Sequence, residues 1–113
     1  MKEGDVVLAS LSQADEQLKV RPVIFLRSMP FYRDLLVCGV STQLHREIKG
    51  FDDLIIPTDP DFRSSGLLSG SLIRLGFLNV VPQKSIAGVI GSISADRHRH
   101  LLRTLSDFLT NAG

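Results

Sequence analysis

Up to Ile93 the chain is a series of short apolar runs, rich in β-branched residues, each closed by a polar, glycine or proline turn. Runs of that length and composition are strands. Val6-Val7-Leu8-Ala9, after the Gly4-Asp5 turn signal, predicts a first strand reaching about Leu11. Residues 12–20 are polar, lack a helical stripe and predict a loop. A loop of that length exceeds what a tight hairpin needs, and long ordered loops tend to carry function. Residues 21–26 predict the second strand, opening on Arg21-Pro22. A residue without a backbone N–H suits a strand's first positions and argues against a central ladder position. The third strand is expected at residues 35–40, apolar on both faces, with Gly39 marking a bulge or a close backbone approach. Residues 53–56 predict a fourth strand stopped by Pro57, and residues 71–77 a fifth, which Val80-Val81 extends or follows. The sixth is expected at residues 86–93, with Gly88 and Gly91 as candidate bulges.

After Ser94 the period changes. Ser94 is a helix N-cap candidate, Asp96 favours the dipole of the first turn, and Leu101, Leu102, Leu105, Phe108 and Leu109 fall on one stripe. The expected architecture is mainly β: a small SH3-like barrel of five or six bent strands with one long C-terminal α-helix. The 113 residues make a single domain, large enough to bury a proper core.

Composition narrows the function classes. The net charge of +1 gives no global attraction for nucleic acid, so an anion site has to be local. Tryptophan is absent and aromatics are few, which argues against a base-stacking platform. The single cysteine, Cys38, lies inside an apolar run and reads as a buried small hydrophobe. No signal peptide or membrane-length apolar run is visible, and a soluble cytoplasmic protein is expected.

Two stretches carry candidate chemistry. Arg21 ends a polar loop where a strand begins, and it is either a surface arginine or a fixed planar cation for a phosphate. Ser41-Thr42-Gln43 ends the third strand, and its hydroxyls either form a turn or donate to a reacting group. If the two strand edges meet, they set a positive charge beside a hydroxyl. Arg97, His98, Arg99, His100 and Arg103 read as the solvated side of the last helix, with weak anion binding as the alternative. The His98/His100 spacing is not that of a helical metal pair, and neither a metal cluster nor a phosphate-cradling glycine loop is present, so no metal or cofactor is expected. His45 is a lone loop histidine, a bystander or an acid–base group.

Taken in order, Gly4-Asp5-Val6-Val7, the stretch Glu16-Gln17-Leu18-Lys19-Val20-Arg21-Pro22-Val23, Ser41-Thr42-Gln43, and Ile90-Gly91-Ser92-Ile93-Ser94 before a leucine-striped helix resemble the MazF/PemK family of toxin ribonucleases from type II toxin–antitoxin modules. The resemblance covers nearly the whole chain. It implies a CcdB/MazF-type barrel and a metal-independent endoribonuclease on single-stranded RNA, leaving 2′,3′-cyclic phosphate and 5′-OH ends. It implies catalytic roles for Arg21, with Ser41 or Thr42 as its hydroxyl partner, and makes Glu16 a candidate base. Gln17, Lys19, Gln43, His45 and Arg46 are then expected to contact RNA. A cognate antitoxin and a homodimer are implied as partners. The sequence departs from the family's pattern at Phe77-Leu78-Asn79, where Gln-(Ile/Val)-(Arg/Lys) is usual, and at Ala14 and Lys19, where glycines are usual. Those departures keep open an alternative: a weak or inactive barrel acting as a binding module, either a gyrase inhibitor like CcdB or a binder of RNA or a partner.

Overall fold

The structure, a computed structural model, describes residues 1–12 and 18–111. Six strands form one antiparallel sheet in the order β4-β5-β3-β2-β1-β6. They are β1 (Asp5–Ser12), β2 (Leu18–Ser28), β3 (Leu35–Ser41), β4 (Asp53–Ile55), β5 (Ser71–Val81) and β6 (Ile86–Ser92). A single-turn helix α1 (Phe62–Ser65) follows β4, and the long helix α2 (Ala95–Thr110) follows β6. All six expected strands and the C-terminal helix are present.

The alternation of each strand divides the apolar residues between two cores. Val6, Ile24, Leu26, Cys38, Ile73 and Leu75 pack with Leu101 and Leu105 of α2. Val7, Ala9, Val23, Phe25, Leu35 and Val37 form the second cluster on the opposite face. β3, apolar on both sides, separates them.

Glycines close the bent sheet. α1 lies against β6 so tightly that a Cβ on Gly66 would sit 2.1 Å from the Ile90 carbonyl oxygen, and one on Gly91 would sit 2.2 Å from that of Ser64. Gly66 also has φ +76°, which favours a residue without a Cβ. Beside Gly91 and Gly88 the β1–β6 register shifts, as expected of bulges. In β5 the ladder to β3 passes from Cys38↔Leu78 to Gly39↔Arg74, leaving residues 75–77 of β5 as a bulge. The bulge turns the Phe77 ring onto Gly39, where a Cβ would lie 2.8 Å from Phe77 Cδ1. The bulge is thus in β5, opposite Gly39, and not in β3, and what closely approaches Gly39 is the Phe77 ring and not a backbone.

Several expectations are corrected. Residues 18–20 belong to β2 and Ser12 to β1, because the hairpin ladder continues to Ser12↔Leu18. Pro22 is therefore inside a strand, opposite Leu8. The missing N–H is tolerated because β2 pairs with β3 only from Val23 onward, so that side of β2 is still an edge at Pro22. β5 runs on to Val81 as one strand. Phe108 and Leu109 are on the helical stripe but exposed, since α2 outruns the core; Phe108 instead meets the Phe51 ring at 4.9 Å.

Two residues of the basic run at the start of α2, Arg97 and His98, are not on a solvated face. His98 Nε2 donates to the Leu26 carbonyl at 2.8 Å and pins the helix to β2. Arg97 reaches Asp61 (2.8 Å), Asp53 (2.7 Å) and Asp59 (3.2 Å), and its Nη1 also donates to the Leu54 carbonyl. Asp61 in turn accepts the Ser94 N–H, while the Ser94 hydroxyl caps the helix by accepting from the Arg97 N–H. Arg99, His100 and Arg103 are exposed, as expected. No helix among the described residues is long and apolar enough to cross a membrane.

The Arg97 guanidinium holds the Asp61 carboxyl at a pKa of about 2, against 3.8 for an ordinary aspartate, and the surrounding carboxylates raise the pKa of Arg97. The native state therefore binds its proton less readily than the unfolded chain. The resulting stability, about 2 kcal/mol, is complete above pH 3.8 and is lost as pH falls through about 2. Urea unfolding of Asp61→Asn is expected to show a deficit of about that size at pH 7 that disappears toward pH 2. The Gly39 contact gives a second expectation. Gly39→Ala should cost about 1–3 kcal/mol through overpacking, and less than about 0.5 kcal/mol in a Phe77→Ala background, where the ring is gone. Denaturant midpoints of the four proteins check it.

Candidate active site

Arg21 and Val23 are two apart on β2 and share a face. Val23 stands opposite Gly39, Gly39 opposite Arg74, and Ser41 opposite Leu72. Residues directly opposite in a ladder lie on one face. Arg21, Gly39, Ser41 and Arg74 are therefore brought to the same side of three neighbouring strands. They line a cleft of about 510 Å³. Buried Leu11 and Val23 and the Phe77 ring supply its apolar surface, and Thr42 and Gln43 complete its polar rim.

The end of β3 turns sharply here. The Ser41 hydroxyl oxygen accepts the Gln43 N–H at 3.1 Å, so the serine is a turn former, and its own O–H remains a donor. The polar groups of the cleft are then two guanidiniums, two hydroxyls and an amide. Among the described residues no carboxylate lines it. Such a site suits a phosphodiester, an anion that accepts hydrogen bonds at its non-bridging oxygens. Its lining offers fixed charge and hydrogen-bond donors. None of these side chains is a histidine or carboxylate able to relay a proton near neutral pH.

The expected site residues are only partly gathered. Arg21, Ser41, Thr42 and Gln43 share the cleft. Lys19 is exposed on β2, and His45 and Arg46 are exposed on the 3-10 turn Leu44–Arg46; none of the three lines the cleft. Glu16 and Gln17 lie outside the described residues. Cys38 is fully buried on the helix side, with its thiol pushed up to about 12 by burial and the charge of Asp52, so it takes no part. Among the described residues no cluster of His, Cys, Asp or Glu is placed to hold a metal ion.

Arg74 is the residue that sequence reasoning missed. The signal was present: it is the one charge in Leu72-Ile73-Arg74-Leu75, an apolar strand whose neighbours face the core. Only the register with Gly39 shows that it shares a face with Arg21.

Comparison with known proteins agrees with the fold. The structure of Mycobacterium tuberculosis toxin MazF-mt6 superposes with a TM-score of 0.70 at 16% sequence identity, covering 96% of this chain and 99% of that one. No curated protein matches the chain in sequence. The family model described as PemK-like, MazF-like toxin of type II toxin-antitoxin system matches residues 2–109, nearly the whole chain, with the cleft inside the matched span. The chain belongs to the PemK-like, MazF-like toxin family of type II toxin–antitoxin systems.

Proposed function

We propose that this protein is an endoribonuclease toxin that cuts single-stranded RNA by internal transesterification. The observation that carries this reading is the shared cleft of Arg21 and Ser41-Thr42-Gln43, on a chain of the toxin family. In the reaction the ribose 2′-oxygen attacks the adjacent phosphorus, the P–O5′ bond breaks, the 2′-OH proton leaves to a base and the 5′-oxygen takes up a proton. The products end in a 2′,3′-cyclic phosphate and a 5′-OH. DNA, which lacks the nucleophile, is not a substrate. Arg21 holds a non-bridging oxygen and stabilises the charge that gathers there in the phosphorane, while Ser41 or Thr42 donates to the same group. Gln43 positions the RNA beside the reacting linkage. Glu16 is the candidate base, with Gln17, Lys19, His45 and Arg46 serving the flanking RNA. Neither a metal ion nor a cofactor has a part in this reading.

A cognate antitoxin is the partner that keeps such a toxin silent, in the cytoplasm where RNA is available. A homodimer is proposed through the exposed apolar residues of the last strands, Leu78 and Val80 of β5 with Val89 and Ile90 of β6, or through Phe108 and Leu109 of α2. The phenylalanine wall at position 77 favours a second reading, a binding module without cutting activity.

Incubation with a long single-stranded RNA in EDTA separates the two. Cleavage with cyclic-phosphate and 5′-OH ends is expected, with a roughly 10²–10³-fold loss in Arg21→Ala at unchanged circular dichroism. Intact RNA at high protein concentration, together with blocked gyrase supercoiling, overturns the ribonuclease reading.

A further inference from the structure

The β5 bulge puts Phe77 on a side of the sheet where a regular strand does not take it. Residues two apart on a strand share a face, yet Leu75 is fully buried in the helix-side core while Phe77 lines the cleft. Bulges beside active sites re-aim a side chain in this way. The ring is seated in the space that Gly39 leaves: Cβ, Cγ and Cδ1 of Phe77 lie 2.8–3.3 Å from where a Cβ on Gly39 would be. Braced on β3 but 50% exposed, Phe77 serves poorly as core. Among the described residues it is the single aromatic in the cleft lining, set beside guanidiniums, hydroxyls and an amide. A ring held in place and half-open in a polar cleft suits a flat, apolar ligand surface. A phosphodiester of single-stranded RNA brings one with it, because the riboses on either side carry bases free to be splayed out. The absence of tryptophan and the scarcity of aromatics argue against a platform of several rings, but one ring suffices for one base.

We propose that Phe77 is a base-stacking wall of the cleft: a nucleobase next to the bound phosphodiester lies on the Phe77 ring while the phosphate meets the polar groups beside it. This assignment rests on the reading of the cleft as an RNA site, but not on cutting. Every base has a π-face, so the ring supplies affinity and orientation with little choice among sequences. Because the bulge and Gly39 already fix the ring, stacking on it costs little side-chain entropy.

The test compares two single strands by fluorescence anisotropy over a range of NaCl concentration. One is a mixed-sequence RNA with 2′-O-methyl riboses, which has no free nucleophile; the other has the same sugars and phosphates but abasic residues. Phe77→Leu is expected to weaken binding of the base-carrying strand roughly 5- to 150-fold and to leave the abasic strand unaffected, a coupling that a merely structural role does not produce. The slope of log K against log salt is expected to stay the same, because no cation–phosphate interaction is removed. Phe77→Tyr, which keeps the ring, is expected to bind as wild type. So is Phe31→Leu, whose ring is 97% exposed in the turn between β2 and β3 and outside the cleft. In the unsubstituted protein the Phe77 ring-proton resonances are expected to move upfield when the base-carrying strand is added, a readout independent of how any variant folds. An equal loss for both strands, an affinity unchanged in folded Phe77→Leu, unmoved ring resonances, or no binding by the wild type overturns the proposal. If the base-dependent loss is seen while ordinary RNA is never cut, the Phe77 assignment stands and the ribonuclease reading fails. If ordinary RNA is cut and Phe77→Leu binds both strands as wild type does, the reverse holds.

Discussion

The contact between Gly39 and the Phe77 ring determines what β3 can offer. A strand in the middle of a sheet normally presents side chains on both faces, and the face used by Leu35 and Val37 is filled. At Gly39 β3 contributes no side chain to that face, and the β5 bulge folds the Phe77 ring into the space. The ladder then resumes at Arg74. One missing side chain therefore lets the Phe77 ring lie against β3 as a wall of the cleft at the end of an otherwise continuous core. It also sets the distance between the cations, because Arg21 and Arg74 belong to the two strands that hydrogen-bond β3, each about 4.8 Å away across the sheet. The hydroxyls of Ser41 and Thr42 arrive at the same place because β3 ends there.

The charged residues are segregated in a way that a net charge of +1 conceals. Asp53, Asp59 and Asp61 gather round Arg97, where α2 meets β4 and the turn before α1. With those carboxylates paired on that side, the cleft keeps two arginines and no described acid in its lining. Attraction for an anion is then local, works over roughly a Debye length, and weakens with salt. The same cluster anchors the first turn of the helix, and His98 anchors it again to β2. The helix that covers one core is thus tied down by polar contacts where it begins and by leucines along its length.

Much of this fold is legible in the sequence, because period-two apolar runs, turn residues and one period-3.6 stripe each have a local cause. Gly39 was legible as a special position, and Ser94 as a cap. What was not legible depends on partners distant in sequence. Arg97 and His98 look like solvent-facing helix residues until Asp61 and the Leu26 carbonyl are placed beside them. Pro22 looks like a strand start because nothing local says that β3 pairs only from Val23. In the site, Arg21 and Ser41-Thr42-Gln43 were found through their order along the chain and the family resemblance. Arg74 has no local motif and is found only through register. Lys19, His45 and Arg46 are basic residues near the motifs, and a basic side chain near a motif does not say which way its strand or turn faces.

The central claim is that the cleft serves attack by a ribose 2′-oxygen on the phosphorus beside it. The most direct measurement replaces the single ribose on the 5′ side of a mapped cut with 2′-deoxyribose, in an oligonucleotide otherwise RNA. The account predicts that cleavage at that linkage disappears while the oligonucleotide still binds with close to its original affinity, because the phosphate that Arg21 meets is unchanged. Continued cleavage at the 2′-deoxy linkage contradicts it.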